Sequence, residues 1–171
     1  MESLVIGAGG ESDRNSIPLA TRAGRRIDNE RRMEHLPARL RAAAHMITSQ
    51  CHGAQPRTLS AQYNCMGMVF ASRRVWVDIT LIRRILEEDE YSRLAGPEAL
   101  QVGDLVVYQR DGADAHVGMV IGSEVIMPSG EPVVTVLSQF GADGEYLHPI
   151  EQVPFLCGRP SEFWTDRRVT R

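Results

Sequence analysis

The stretch that follows Gly96-Pro97 constrains the fold most. Three short apolar runs rich in β-branched residues, at 105–108, 117–121 and 133–137, are bounded by Gly, Asp or Pro. Such runs read as strands, and their turn residues favour antiparallel neighbours. A run at 162–165 reads as an edge strand. The residues before Gly96 follow a different period. Leu36, Leu40, Ala43, Ala44 and Ile47 recur at three- and four-residue spacing, as on one helix face. Pro37 suits the first turn of that helix, where its missing N–H costs nothing. A second helix fits 65–75, with Met68, Val69 and Val75 available to a core. Asp78 can cap a third, in which Ile79, Ile82, Ile85 and Leu86 form a stripe. The stretch 50–60 carries Gly and Pro and reads as a loop. Helices first and an antiparallel sheet after them is the α+β arrangement.

At 171 residues the chain has room for one domain with a sizeable core. Residues 1–28 are rich in Gly, Ser, Arg and Asn and show no sustained period. They are expected to form a flexible arm, with the domain proper at 29–171. Arg22, Arg25, Arg26, Arg31 and Arg32 cluster around this boundary and read as a solvated face, with a patch for phosphate or nucleic acid as the alternative. The net charge of −3 gives no global basic excess of the kind nucleic-acid binders carry. No apolar run reaches the ~18 residues of a membrane helix. The start of the chain lacks the basic and apolar regions of a Sec signal peptide, so a cytoplasmic location is the default expectation and a non-Sec export route stays open. Cys51, Cys65 and Cys157 are an odd set, which argues against a disulfide framework. Together with the histidines they make no zinc-ligand spacing, and no phosphate or dinucleotide loop is present. No metal or cofactor is expected.

Two residues carry candidate chemistry. Cys65, in Tyr63-Asn64-Cys65-Met66-Gly67-Met68, stands where the second helix should begin. The unpaired N–H groups and positive dipole end of a helix start favour a thiolate and lower its pKa. The same N–H groups can hold an oxyanion. Taken alone, a cysteine beside an apolar helix is also a small core residue. His116 opens His116-Val117-Gly118-Met119-Val120-Ile121-Gly122, after the strand Gly103-Asp104-Leu105-Val106-Val107-Tyr108. Gly118 leaves room for close packing. Asp104 reads as a turn or sheet-edge partner.

In combination these segments resemble the NlpC-type branch of the papain-like cysteine peptidases. The resemblance spans about residues 60–125. It implies a helix opened by the nucleophilic cysteine, packed on an antiparallel sheet that carries the histidine. Where that family usually has Asp-Cys-Ser-Gly, this chain has Asn64-Cys65-Met66-Gly67. The resemblance implies a thiol hydrolase, a peptidase or amidase, with Cys65 as nucleophile and His116 as base. Its substrate would be a peptide or a peptidoglycan stem-peptide fragment. A third member would orient the imidazole. Gln139 is the first choice by topology and His148 the second, with Ser138 behind them because strand alternation points it opposite to Gln139. Tyr63 is a candidate oxyanion donor, and Asn64 flanks the nucleophile on the substrate side. Two further readings keep the same fold: a silent binding module, in which Met66 fills the cleft, and a thiol-dependent acyltransferase.

Overall fold

The computed structural model describes residues 15–126 and 131–167. The elements run β1 (Asn29–Glu30), α1 (Pro37–Gln50), β2 (Gln55–Thr58), α2 (Cys65–Phe70), β3 (Trp76–Val77), α3 (Ile82–Glu88) and β4 (Ser92–Arg93). Then come β5 (Leu105–Arg110), β6 (Ala113–Ile126), β7 (Glu131–Gln139), β8 (Glu145–Pro149) and β9 (Arg159–Thr165). Among the described residues, one seven-stranded antiparallel sheet runs in the order β2-β8-β7-β6-β5-β9-β4, and β1 and β3 pair separately. The architecture is α+β, with few helices and a large antiparallel sheet. No helix among the described residues is long and apolar enough to cross a membrane.

Pro37 occupies the first turn of α1, as its spacing predicts. Asn64 caps α2, its Oδ1 accepting from the Gly67 N–H at 2.9 Å. The helix ends at Phe70, short of the predicted 75, because the chain turns back through Ser72 and Arg73 at positive φ. Gly67 permits that return: a Cβ there would stand 1.8 Å from the Val75 carbonyl oxygen. Asp78 caps a 3-10 turn, Ile79–Leu81, which runs into α3. The loop expected at 50–60 contains β2, whose residues are all exposed and show no apolar alternation. The expected edge strand at 162–165 is longer and lies inside the sheet, between β5 and β4. The turn that Pro128, Gly130 and Pro132 predict before the run at 133–137 falls largely on residues outside those described.

Residues 15–28, expected to be part of a loose arm, are packed. Ile17 and Ile27 are buried in the cluster that holds Cys65, Met66, Ile82, Ile85 and Val117. Asn29 fixes the segment through bonds to the Ile17 N–H and the Ile17 and Ile27 carbonyls. Two fully buried isoleucines contribute roughly 4 kcal/mol, enough to hold a short segment that has no period of its own. Residues 1–14 lie outside the described structure. The arginines around this segment are largely ion-paired on the surface, Arg25 with Glu88 at 2.9 Å and Arg32 with Glu30.

The ladder registers divide the sheet residues between two faces. Tyr108 opposes His116, Val120 opposes Val136, and His148 also opposes Val136. Hence Val106, Tyr108, His116, Gly118, Val120, Val136, Ser138, Tyr146 and His148 share one face. Leu105, Val107, Val117, Met119, Leu137, Gln139 and Glu145 share the other, on which α2 and α3 pack.

Candidate active site

The site lies where the sheet splits. β6 and β7 pair from Ile126 down to Met119, opposite Leu137, and no further. Beyond that rung β6 stays with β5 as far as Ala113, and β7 stays with β8 to Gln139, opposite Glu145. A cavity of about 940 Å³ is lined by Ala115 and His116 on one side of the split and by Phe140, Gly141 and Asp143 on the other. Cys65 also lines it, at the first turn of α2.

The split supplies Cys65 with a donor. Val120 exchanges both of its backbone bonds on the β5 side, with Gly103 and Asp104. By the alternation of an antiparallel ladder, the Val117 N–H points toward β7. With no β7 rung there, it faces the Cys65 sulfur, as do the N–H groups of Cys65 and Met66. These three donors favour the thiolate, but burial opposes it more strongly and pushes the Cys65 pKa up to about 11. The expected lowering by the helix start is therefore outweighed. At neutral pH the group is a thiol, with the residue 7% exposed.

His116 has the opposite surroundings. Its ring lies 5.3 Å from that of Tyr108 and 5.5 Å from that of Phe140, centroid to centroid. The residue is 2% exposed, and its Nε2 has no hydrogen-bond partner. Burial first, and the neighbouring His148 second, push its pKa down to about 3. It is a neutral imidazole held by rings. No hydrogen bond links it to the Cys65 thiol.

The other candidates fall on both faces. His148 stands on the His116 face, with Phe140 packed against both rings. Its Nδ1 donates to the Pro149 carbonyl at 2.8 Å, which leaves Nε2 to accept from the Ser138 hydroxyl at 2.9 Å. Burial pushes the His148 pKa down to about 4, so it too is neutral. Gly118 makes room for this pair: a Cβ there would lie 2.6 Å from Ser138 Oγ and 2.4 Å from a Val136 methyl. The close neighbours that Gly118 admits are thus side chains of the next strand. Gln139 lies on the opposite face from His116. Its amide nitrogen donates to the carbonyls of Ser60, at 2.7 Å, and Gly141, at 3.0 Å. It therefore does not orient His116, because the register fixes its side.

Tyr63 does not line the cavity. It packs with Met68 and Leu137, and its hydroxyl donates to buried Glu145 at 3.4 Å. Burial and that carboxylate push its pKa up to about 12. Asn64 does line the cavity, but its amide is committed. Oδ1 accepts from the N–H groups of Gly67 and Val77, and Nδ2 donates to the Val77 carbonyl at 2.7 Å. Asn64 positions Cys65, with one of its two amide hydrogens committed to Val77. Met66 is fully buried in the core and lines no part of the cavity, so it does not fill the cleft. Asp104 accepts from the Gln101 N–H at 2.8 Å and from Arg167, the structural role expected of it.

Several contributors were not singled out in the sequence. The Val117 N–H acquires its role only where a ladder ends. Phe140 is a single aromatic in a turn. Cys157 lines the cavity too, and burial together with the nearby thiols Cys65 and Cys51 pushes its pKa up. The β1–β3 ribbon forms one wall, and only the pairing of Asn29 with Val77 and Glu30 with Trp76 puts it there. Among the described residues no group of three or more His, Cys, Asp and Glu side chains is arranged to hold a metal ion. No family model matches the chain, and no curated protein or solved structure matches it either.

Proposed function

We propose that this chain is a divergent papain-like cysteine hydrolase of NlpC type that cleaves an amide bond. The observation that carries the reading is the juxtaposition at the split. A cysteine at a helix start, its sulfur facing three N–H donors, shares one cavity with a buried histidine whose Nε2 has no partner. Cys65 is the nucleophile and His116 the general base and acid. The thiol proton passes to the imidazole as the sulfur bonds to the carbonyl carbon. The carbonyl oxygen gains the negative charge, and helix-start N–H groups are the donors that hold it. The intermediate collapses, His116 protonates the departing amine, and an acyl thioester remains on Cys65. Water then releases the acid and restores the thiol.

The resting charges refine this mechanism. With Cys65 near 11 and His116 near 3, a free thiolate–imidazolium pair costs on the order of 10 kcal/mol. Proton transfer therefore accompanies attack, with no standing ion pair before it. The rings of Tyr108 and Phe140 orient His116, and His148 with Ser138 supports Phe140 from the same face. A peptide or peptidoglycan stem-peptide fragment is the substrate class that the resemblance implies.

The test is acylation by p-nitrophenyl acetate, followed by p-nitrophenolate release and by the mass of the intact protein. Wild type is expected to carry one acetyl group on Cys65, with Cys65→Ala unlabelled and His116→Ala acylated at least a hundredfold more slowly. Release at the same rate in wild type and Cys65→Ala would overturn the reading. The small exposure of both residues and their shared neutrality favour one competitor, a catalytically silent binding module on the same fold.

A further inference from the structure

The cavity has two unlike walls. One belongs to the Cys65 side. Asn64, next to the nucleophile, is bonded to Val77 of β3, and β3 carries β1 beside it. This ribbon and its flanks bring Asp28, Glu30 and Asp78 to the cavity. Arg32 lines the same wall, but its guanidinium is bound by Glu30 and lies 3.7 Å over the Trp76 ring. Asp28 has a loose partner, Arg26 at 3.5 Å, and both side chains are largely solvated, so that pair is heavily screened. Asp78 is held below the usual carboxylate range by the Thr80 N–H and hydroxyl. After Arg32 and Glu30 cancel, this wall is anionic.

The other wall belongs to the His116 side. Phe140, against the imidazole, clusters with Ile47 of α1 and with Cys157. The adjoining residues Met46, Phe155 and Leu156 line the cavity and are 45%, 84% and 70% exposed. Large apolar side chains exposed together at a cavity mouth mark a surface that meets a ligand. Asp143 is the acidic residue on this side. Buried His116, with Nε2 unpartnered, stands between the walls.

The chemistry assigns a direction to this polarity. In thiol hydrolysis the acyl group stays on the sulfur, and the amine leaves toward the histidine that protonates it. We infer that the cleft selects amides with a cationic acyl component, held by the Asp28–Asp78 wall, and an apolar amine component, held against Phe140, Phe155 and Leu156. The inference rests on the hydrolase reading above.

Activated esters test it. The probes are the p-nitrophenyl esters of ε-aminocaproic acid, caproic acid and adipic acid (one carboxyl left free), which differ only in acyl charge. The cationic ester is expected to acylate Cys65 about tenfold faster than the anionic one at low salt, with the neutral ester between them. The ratio should approach one at about 1 M salt, where the screening length is ~3 Å. Asp28→Asn and Asp78→Asn should each lower it about two- to threefold, and asparagine at 78 keeps the acceptor for Thr80. Adding a carboxylate to the nitrophenol should slow wild type, and Phe155→Ser should shrink that difference. Acylation of Cys65 without charge preference, or with the reverse preference, overturns this inference and leaves the hydrolase reading standing. No Cys65-dependent acylation by any of the esters overturns both.

Discussion

Cys65 and His116 line one cavity from opposite environments. Cys65 is surrounded by N–H donors suited to a negative charge, and burial alone keeps it neutral. His116 is surrounded by rings and a second neutral imidazole, with no partner for its Nε2. One half of the pair is prepared for the charge it would carry during attack. The other half is prepared against it. In the proposed reaction, the charged pair would be a property of the occupied site and not of the resting fold. A carbonyl developing negative charge beside the helix start would supply the missing compensation.

Acid should break this comparison first and most strongly. His116 and His148 have folded-state pKa values of about 3 and about 4, below the unfolded value of 6.5. Protonation therefore favours the unfolded chain. The stabilisation is intact above about pH 6.5 and is lost as pH falls toward 4, by on the order of 5 kcal/mol. Urea unfolding across that range should show a slope approaching two protons. A flat profile would mean that the imidazoles are not neutral and buried.

Gly67→Ala attacks the Cys65 half. Its Cβ would meet the Val75 carbonyl oxygen at 1.8 Å, and backbone cannot swing aside as a side chain does. The expected loss is about 3 kcal/mol in urea unfolding, with α2 lifted and Cys65 faster toward a disulfide reagent. Gly118→Ala attacks the His116 half. It should cost about 2 kcal/mol and displace Ser138, so that the His148 pKa rises in an imidazole NMR titration. Unchanged stability in either variant would show that the strand or helix yields more easily than its packing implies. The smallest effect belongs to Asn64→Ala. Loss of the α2 cap and the Val77 bonds should cost about 1 kcal/mol and slow Cys65 acylation, leaving the imidazole titrations in place. Equal acylation would remove Asn64 from the positioning of Cys65.

Much of this was legible in the residues. Pro37, the Cys65 helix start, the stripe through Ile82, Ile85 and Leu86, and the runs that became β5, β6 and β7 all follow local rules that tertiary structure did not override. What escaped reading is non-local. Gln139 was placed beside His116 by strand order, and only the rung Met119–Leu137 shows that it belongs to the other face. The pieces β1, β3 and β4 are two residues each and carry no period. Ile17 and Ile27 are isolated apolar residues in a polar segment, so their burial is invisible until the core that receives them exists. The altered charge states are of the same kind. The helix start was visible in the sequence, but the depth of its burial was not.

The rung that β6 and β7 do not make has an evolutionary meaning. Continuing the register would pair Gly118 with Ser138 and then Val117 with Gln139, two residues beyond Met119 and Leu137. A closed ladder would add backbone bonds worth about 1 kcal/mol each. It would also seal the cleft and take the Val117 N–H away from the sulfur. If the proposed hydrolysis is the function, variants that zip the sheet further should be recovered by selection for thermal resistance alone and purged by selection for turnover. Robustness and use pull in opposite directions at the point where the ladder stops.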